Sequence, residues 1–164
     1  MASFVVADAG PLHYLILIDR AEILSPLCGH VFIPFAVQNE LLHSSAPAAV
    51  KNWLLRPPPW LEVVPVSEPR IIRGLHRGEA EALQLALHVK ADTVLMDDFD
   101  GRTAAKRLGL KVVGTIGLLE RAAELNLIIL ADSLGELRQT NFFGSEELFA
   151  AALERERLWK EKRR

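Results

Sequence analysis

Two short apolar runs in this sequence are each followed directly by acidic residues. Asp8 follows "FVVA" at residues 4–7, and Asp97 and Asp98 follow "DTVLM" at residues 92–96. Both runs have the length and the β-branched content of buried strands. If the two strands are parallel, their carboxylates meet at the carboxyl edge of one sheet, where functional groups of open α/β sheets lie. Taken singly, capping explains Asp8 equally well, and the Asp-Gly pair at 100–101 favours a turn role for Asp97 and Asp98.

A predicted helix at residues 77–90 carries a further acid on its apolar side. At about 100° per residue, one apolar stripe contains Ala82, Leu83, Ala86, Leu87 and Val89. Glu79 projects onto the middle of this stripe, so we expect it to face inward, beyond what a favourable position at the helix N-terminus requires. Glu81 projects to the opposite side, and we interpret it as a solvated surface charge.

Glu40, in "FAVQNELLH", is the fourth candidate acid. Alone it is typical of a boundary residue that reaches water, and only the other acids make it a site candidate. Carboxylates that share one site repel each other and retain protons unless a cation neutralises them. Hard divalent cations bind such oxygen ligands, and they support hydrolysis of phosphate esters by activating water and stabilising charge on phosphorus.

Other chemistries lack their sequence patterns. The five histidines show no zinc-ligand spacing, and there is no P-loop, nucleophile elbow or dinucleotide-binding glycine motif. A phosphatase-like mechanism with an aspartyl nucleophile is disfavoured, because position 10 is Gly where a second carboxylate is usual. The acids therefore remain the best candidates.

Strands and helices alternate along the chain. Predicted strands lie at residues 4–7, 30–34, 60–66, 92–96 and 111–115, and predicted helices lie from 11 to Pro26 and at 35–43, 46–56, 77–90 and 101–109. This alternation predicts a three-layer α/β/α fold around a central, mainly parallel sheet of about five strands. Pro65 places the third strand near an edge, because proline cannot donate to a ladder. A helical C-terminal third follows.

Length and composition indicate one domain at residues 1–150, with a charged helical tail at 151–164 that belongs to it. The net charge of −2 provides no global positive field for nucleic acid. Cys28 is the only cysteine, which excludes an intrachain disulfide and fits a reducing cytoplasm. No apolar run approaches the roughly 18 residues of a membrane span. We therefore expect a cytoplasmic protein without membrane association.

The order and spacing of these motifs resemble the PIN-domain nucleases, and within them the compact VapC-type toxins. The matching stretches, over roughly residues 4–150, are "VVADAGPLHYLILIDRAEIL", "VFIPFAVQNELL", "LHRGEAEALQLAL" and "ADTVLMDDFDGRTAAKRLGLKVVGTIGLLERAAELNLI". The resemblance implies that Asp8, Glu40, Glu79 and one of Asp97 or Asp98 hold Mg²⁺ or Mn²⁺ and hydrolyse RNA internally. Asp98 fits the family's strand-end acid best. Ala9-Gly10 departs from the many relatives with Ser or Thr directly after the first Asp.

The resemblance also implies partners: RNA as substrate, a second copy in a homodimer, and a small antitoxin that blocks the acidic pocket. Arg102 and Lys106, in the helix after the Asp pair, could contact phosphates, although a solvated helix face explains them equally well. An alternative function is a PIN-fold module that has lost its metal and binds RNA or protein without catalysis.

Overall fold

The computed structural model of the chain describes residues 4–164. In this part of the chain one sheet contains β1 (Phe4–Ala7), β2 (His30–Pro34), β3 (Leu61–Val64), β4 (Thr93–Leu95) and β5 (Lys111–Val113). The strand order is β3-β2-β1-β4-β5, and each neighbouring pair is parallel. The predicted five-stranded parallel sheet and the edge position of the third strand are confirmed.

Helices connect the strands and continue after the last one. They are α1 (Ala9–Leu17), α2 (Leu24–Cys28), α3 (Phe35–Leu41), α4 (Ala48–Leu55), α5 (Arg77–His88), α6 (Phe99–Arg107), α7 (Thr115–Glu124), α8 (Leu130–Arg138) and α9 (Glu146–Lys162). The single helix predicted from residue 11 to Pro26 is wrong. Asp19 has a φ of 56°, a left-handed conformation that ends the helix, and a 3₁₀ turn (Ala21–Ile23) precedes α2. The apolar spacing continues through this break, so the sequence pattern does not reveal it.

The sheet is covered on both faces. Val5, Val6 and Ala7 alternate between the two faces, and none is more than 3% exposed. On one face, Val6 and Val94 pack in a buried cluster with Ala82 and Leu83 of α5. Helices on both sides give the predicted three-layer α/β/α arrangement. Because the faces are closed, polar groups of the inner strands reach solvent at the strand ends.

The chain forms two compact units, which meet in sequence between Thr115 and Ile116. The first contains the sheet, and the predicted domain's residues 1–3 lie outside the described part of it. In the second unit, Leu134 and Phe149 are buried, and Arg155 Nε of α9 donates to Glu120 Oε1 of α7 at 2.6 Å. Helix α9 continues across residue 150, where we placed the start of the tail. No helix within residues 4–164 is long and apolar enough to cross a membrane.

Candidate active site

Asp8 lies directly after the central strand β1, and its backbone N–H donates to Leu95 O of β4 at 2.9 Å. The residue is only 7% exposed, and Oδ1 is buried with no hydrogen-bond partner among the described residues. Burial, with smaller contributions from the charges of Glu40, Glu79 and Asp97, raises the pKa of Asp8 from 3.8 to about 7, although the Ala9 N–H lowers it. Although Asp8 is at the N-cap position of α1, it makes no side-chain capping hydrogen bond. A capping role therefore does not explain this carboxylate.

Glu40, near the end of α3, lies against the first turn of α5. Although Glu40 is an exposed residue, partial desolvation of its carboxylate and the charge of Glu79 raise its pKa, while the nearby His76 and the Gly78 N–H lower it. A Cβ on Gly78 would overlap Glu40 Oε1 and lie 2.9 Å from Glu40 Cδ. Glycine at position 78 therefore permits the Glu40 carboxylate to lie close to the backbone of α5.

Glu79 is in the first turn of α5 and is 6% exposed, so the predicted inward direction is confirmed. Its Oε2 accepts the His76 N–H at 3.1 Å, so the carboxylate also helps to cap its own helix. Burial raises the pKa of Glu79, and the charges of Asp98 and Asp100 add to this effect. Glu79 thus combines a helix-capping contact with a position among the candidate acids.

Asp97 and Asp98 have different surroundings. Asp97 Oδ1 accepts the Thr115 N–H at 2.7 Å, and Oδ2 accepts the Thr115 hydroxyl at 2.6 Å. Burial raises the pKa of Asp97 in spite of these bonds and of the nearby Arg102. Asp98 is exposed and caps α6, where Oδ1 accepts N–H groups of Asp100 and Gly101. Asp98 thus makes the capping contacts of a turn residue, whereas the charge of Asp97 acts on Asp8.

The acids influence each other's charge without forming a compact cluster. Within residues 4–164, no three His, Cys, Asp or Glu side chains are grouped closely enough to hold a metal ion. Uncompensated carboxylates repel each other, and donors occupy one or both oxygens of Glu79, Asp97 and Asp98. Carboxylates keep further lone pairs for a cation, and the unpartnered Asp8 Oδ1 is a free acceptor. The donor set therefore fits a hard divalent ion.

The two basic candidates lie on α6. Arg102 Nη1 donates to Met96 O at 2.9 Å, and a Cβ on Gly114 would lie 3.0 Å from the same nitrogen. The guanidinium is therefore held at the acidic edge of the sheet. Lys106 is exposed and lies one turn further along, on the same side of the helix.

The prediction that Glu81 is a solvated charge is wrong. Glu81 is 3% exposed, and its carboxylate accepts the Ala36 N–H at 3.1 Å and Arg77 Nε at 3.2 Å. Helix α3 packs against α5 at Glu81, so this part of the side opposite the apolar stripe does not face water, whereas His88 further along that side is exposed. Leu87, which we placed on the stripe, is 47% exposed, whereas Leu85 is buried.

Thr115 is a further residue of the candidate site, and the sequence reasoning missed it. It follows β5 in the "VVGT" turn, and it is fully buried. A hydroxyl at the carboxyl end of a predicted strand, beside a strand that ends in Asp, is the signal that could have identified it.

Replacing Thr115 with valine should remove the hydroxyl bond to Asp97 and keep the backbone N–H. Because hydrogen bonds to charged groups contribute about 1.5–3 kcal/mol, we expect the pKa of Asp97 to rise further, by about one to two pH units. An NMR titration of the Asp97 carboxyl carbon measures this value. Thr115→Ser, which keeps the hydroxyl, is the matched control, and an unchanged pKa in the valine variant would contradict the positioning role.

Together these observations define an α/β protein with an acidic site at the carboxyl edge of its sheet. The chain belongs to the DUF3368 family of PIN domains, whose model matches residues 4–157. PIN domains are generally nucleases, typically bind nucleic acid and generally use divalent metal ions.

One solved structure similar to this chain is a PilT N-terminus domain protein, SSO1118, from the hyperthermophilic archaeon Sulfolobus solfataricus P2. The two chains share 20% identity with a TM-score of 0.53, over 87% of this chain and 99% of the archaeal one. At this identity the likeness concerns the fold, and it confirms the PIN-like fold. A comparison with curated proteins finds no match.

Proposed function

We propose that the protein is a metal-dependent endoribonuclease that hydrolyses RNA phosphodiester bonds. Asp8, Glu40, Glu79 and one of Asp97 or Asp98 would hold Mg²⁺ or Mn²⁺. The observation that carries this proposal is Asp8, whose unpartnered buried oxygen and pKa of about 7 reflect uncompensated burial beside three other acids. Burying a carboxylate without a partner is unfavourable, and a divalent cation would compensate it.

A divalent ion bound there would lower the pKa of a water molecule and stabilise charge on the phosphate. Thr115 orients Asp97 through two hydrogen bonds, and Asp8 must release any proton from its carboxylate to act as a ligand. Arg102, held by Met96 O, and the exposed Lys106 would contact backbone phosphates next to the scissile bond.

The VapC-type resemblance extends the proposal to a toxin of a toxin–antitoxin pair. In this proposal the protein acts in the cytoplasm as a homodimer, and a small antitoxin protein blocks the acidic site. The motifs quoted above support this reading, in particular the Gly-Glu start of α5 and the Gly-Thr turn after β5.

A second candidate function is a PIN-fold module that binds RNA or protein without cleaving it. One observation favours it: among residues 4–164 no three potential ligands are already grouped for a metal ion. Calorimetric titration with Mg²⁺ or Mn²⁺ separates the two candidates, because only a nuclease of the proposed kind must bind a divalent ion.

The test is cleavage of labelled RNA by the purified protein with Mg²⁺ or Mn²⁺, and again with EDTA. We expect internal cleavage that needs the metal, and a loss of about 100-fold or more in Glu79→Gln, since disrupting even an outer-shell partner typically costs about 10- to 100-fold. Glu147→Gln, an exposed glutamate in the first turn of α9, is the control and should retain full activity.

Cleavage that persists in EDTA, or full activity of Glu79→Gln, would contradict the proposal. Absence of both cleavage and divalent-ion binding, with RNA binding retained, would favour the non-catalytic module instead.

A further inference from the structure

Glu81 is a buried acid that is not among the proposed metal ligands. Helix α3 begins after Pro34, which offers no side-chain cap, and the first N–H groups of a helix have no partner within it. Glu81 Oε2 supplies one, because it accepts the Ala36 N–H at 3.1 Å. A side chain of α5 therefore caps the N-terminus of α3.

The opposite contact joins the same two helices. Glu40 of α3 reaches the Gly78 N–H in the first turn of α5, where the missing Cβ leaves room for the carboxylate. Each helix thus gives a carboxylate to the first turn of the other. Ala36 and Glu40 are four residues apart and lie on the same side of α3, so a bond at Ala36 restrains the rotation of the helix that presents Glu40.

We propose that Glu81 is a positioning residue that holds Glu40 against the first turn of α5, next to Glu79. The inference rests on the proposed nuclease function and adds to it the group that fixes the geometry between two candidate ligands. Glu81 acts through its hydrogen bond to Ala36 rather than through its charge. Its ion-pair partner Arg77 has a side chain that is 76% exposed, whereas that of Glu81 is 4% exposed, and screening by water on the arginine side weakens the pair.

Four variants test this role. Glu81→Ala removes the acceptor, Glu81→Gln keeps an acceptor of the same length, and Arg77→Ala removes only the ion pair. Glu81→Asp keeps the charge but is one methylene too short, and it replaces the alanine variant if that variant fails to fold. The readouts are amide hydrogen exchange across α3, and kcat and KM for RNA with Mn²⁺.

In Glu81→Ala we expect about 10-fold faster exchange at the start of α3, as for one lost hydrogen bond, and a kcat about 10- to 100-fold lower. KM should stay within about threefold, because Glu81 is buried and its loss disturbs ligand geometry more than RNA contacts. Glu81→Gln and Arg77→Ala should stay within about threefold of the wild type in every readout, since both keep the acceptor for Ala36.

Faster exchange in Glu81→Ala with an unchanged kcat would show a purely structural role and overturn the proposal. A glutamine variant as impaired as the alanine variant would also overturn it. A wild type that cleaves no RNA would contradict the nuclease function instead. In that case the amide exchange rates alone test the positioning role. Faster exchange across α3 in Glu81→Ala, with the wild-type rate in Glu81→Gln, would support it. Unchanged exchange in Glu81→Ala would overturn it.

Discussion

Replacing Asp8 with asparagine should raise the free energy of unfolding of the metal-free protein at pH 8 and at the same time abolish RNA cleavage. The pKa of Asp8 rises from the ordinary value of 3.8 to about 7 in the folded chain, chiefly because of burial. Between these two values the folded state binds a proton that the unfolded state has lost. Stability therefore falls as pH rises through this window, and the full penalty is present above about pH 7.

Asparagine carries no charge at any of these pH values and avoids the penalty. The interval from 3.8 to about 7, at about 1.4 kcal/mol per pH unit, corresponds to at most about 4 kcal/mol. For a chain of this size each kcal/mol shifts Tm by about 2–4 °C. The Tm advantage of Asp8→Asn should be near zero at pH 4 and largest at pH 8.

Thermal unfolding in EDTA at several pH values measures this difference, and Asp132→Asn, an exposed position on α8, is the control. With Mn²⁺ added, the wild type should gain stability by ligand binding while Asp8→Asn gains little. A Tm difference that is the same at pH 4 and pH 8 would show that the buried charge of Asp8 does not destabilise the folded protein.

Replacing Gly78 with alanine is expected to impair the site with little change in stability. A Cβ at position 78 would overlap the Glu40 carboxylate, which is the flexible end of an exposed side chain and can move away. Alanine favours the helix by up to about 1 kcal/mol over glycine. This gain offsets the loss of the hydrogen bond between the Glu40 carboxylate and the backbone N–H of residue 78. We expect Mn²⁺ affinity and cleavage to fall by about 10-fold or more, a change comparable to the loss of an outer-shell partner.

Gly135→Ala is the matched control, because Gly135 also lies inside a helix, α8, and a Cβ there would meet no atom within 4 Å. It should leave cleavage unchanged and raise Tm slightly. Calorimetric Mn²⁺ titration and RNA cleavage measure both variants. Full activity of Gly78→Ala would mean that the position of Glu40 against α5 is irrelevant to function.

The architecture of the sheet could be predicted because it follows from local patterns. Short apolar runs alternating with helical ones specify a parallel sheet, and parallel strands share one carboxyl edge. That rule alone brings Asp8 and Asp97 to the same edge. The inward direction of Glu79 follows from helical periodicity, because the sheet covers the apolar side of α5.

Glu81 could not be predicted in the same way. Helical periodicity identifies the side of α5 that faces the sheet, but not a second element packed on another side, and α3 is that element. The approach of Glu40 to Gly78 depends on the same packing of two helices distant in sequence. Thr115 lay at the end of a predicted strand and within a quoted family motif, but its bonds to Asp97 depend on which strands become neighbours.

The strand order has a consequence for synthesis of the protein. Because β1 lies between β2 and β4, the strand before Asp8 gains its second neighbour only when β4 has left the ribosome. A nascent chain therefore exposes one side of β1 while most of the first unit is being translated. During that interval Asp8 is separated from Asp97, so the acidic edge of the sheet forms only after translation has passed the fourth strand.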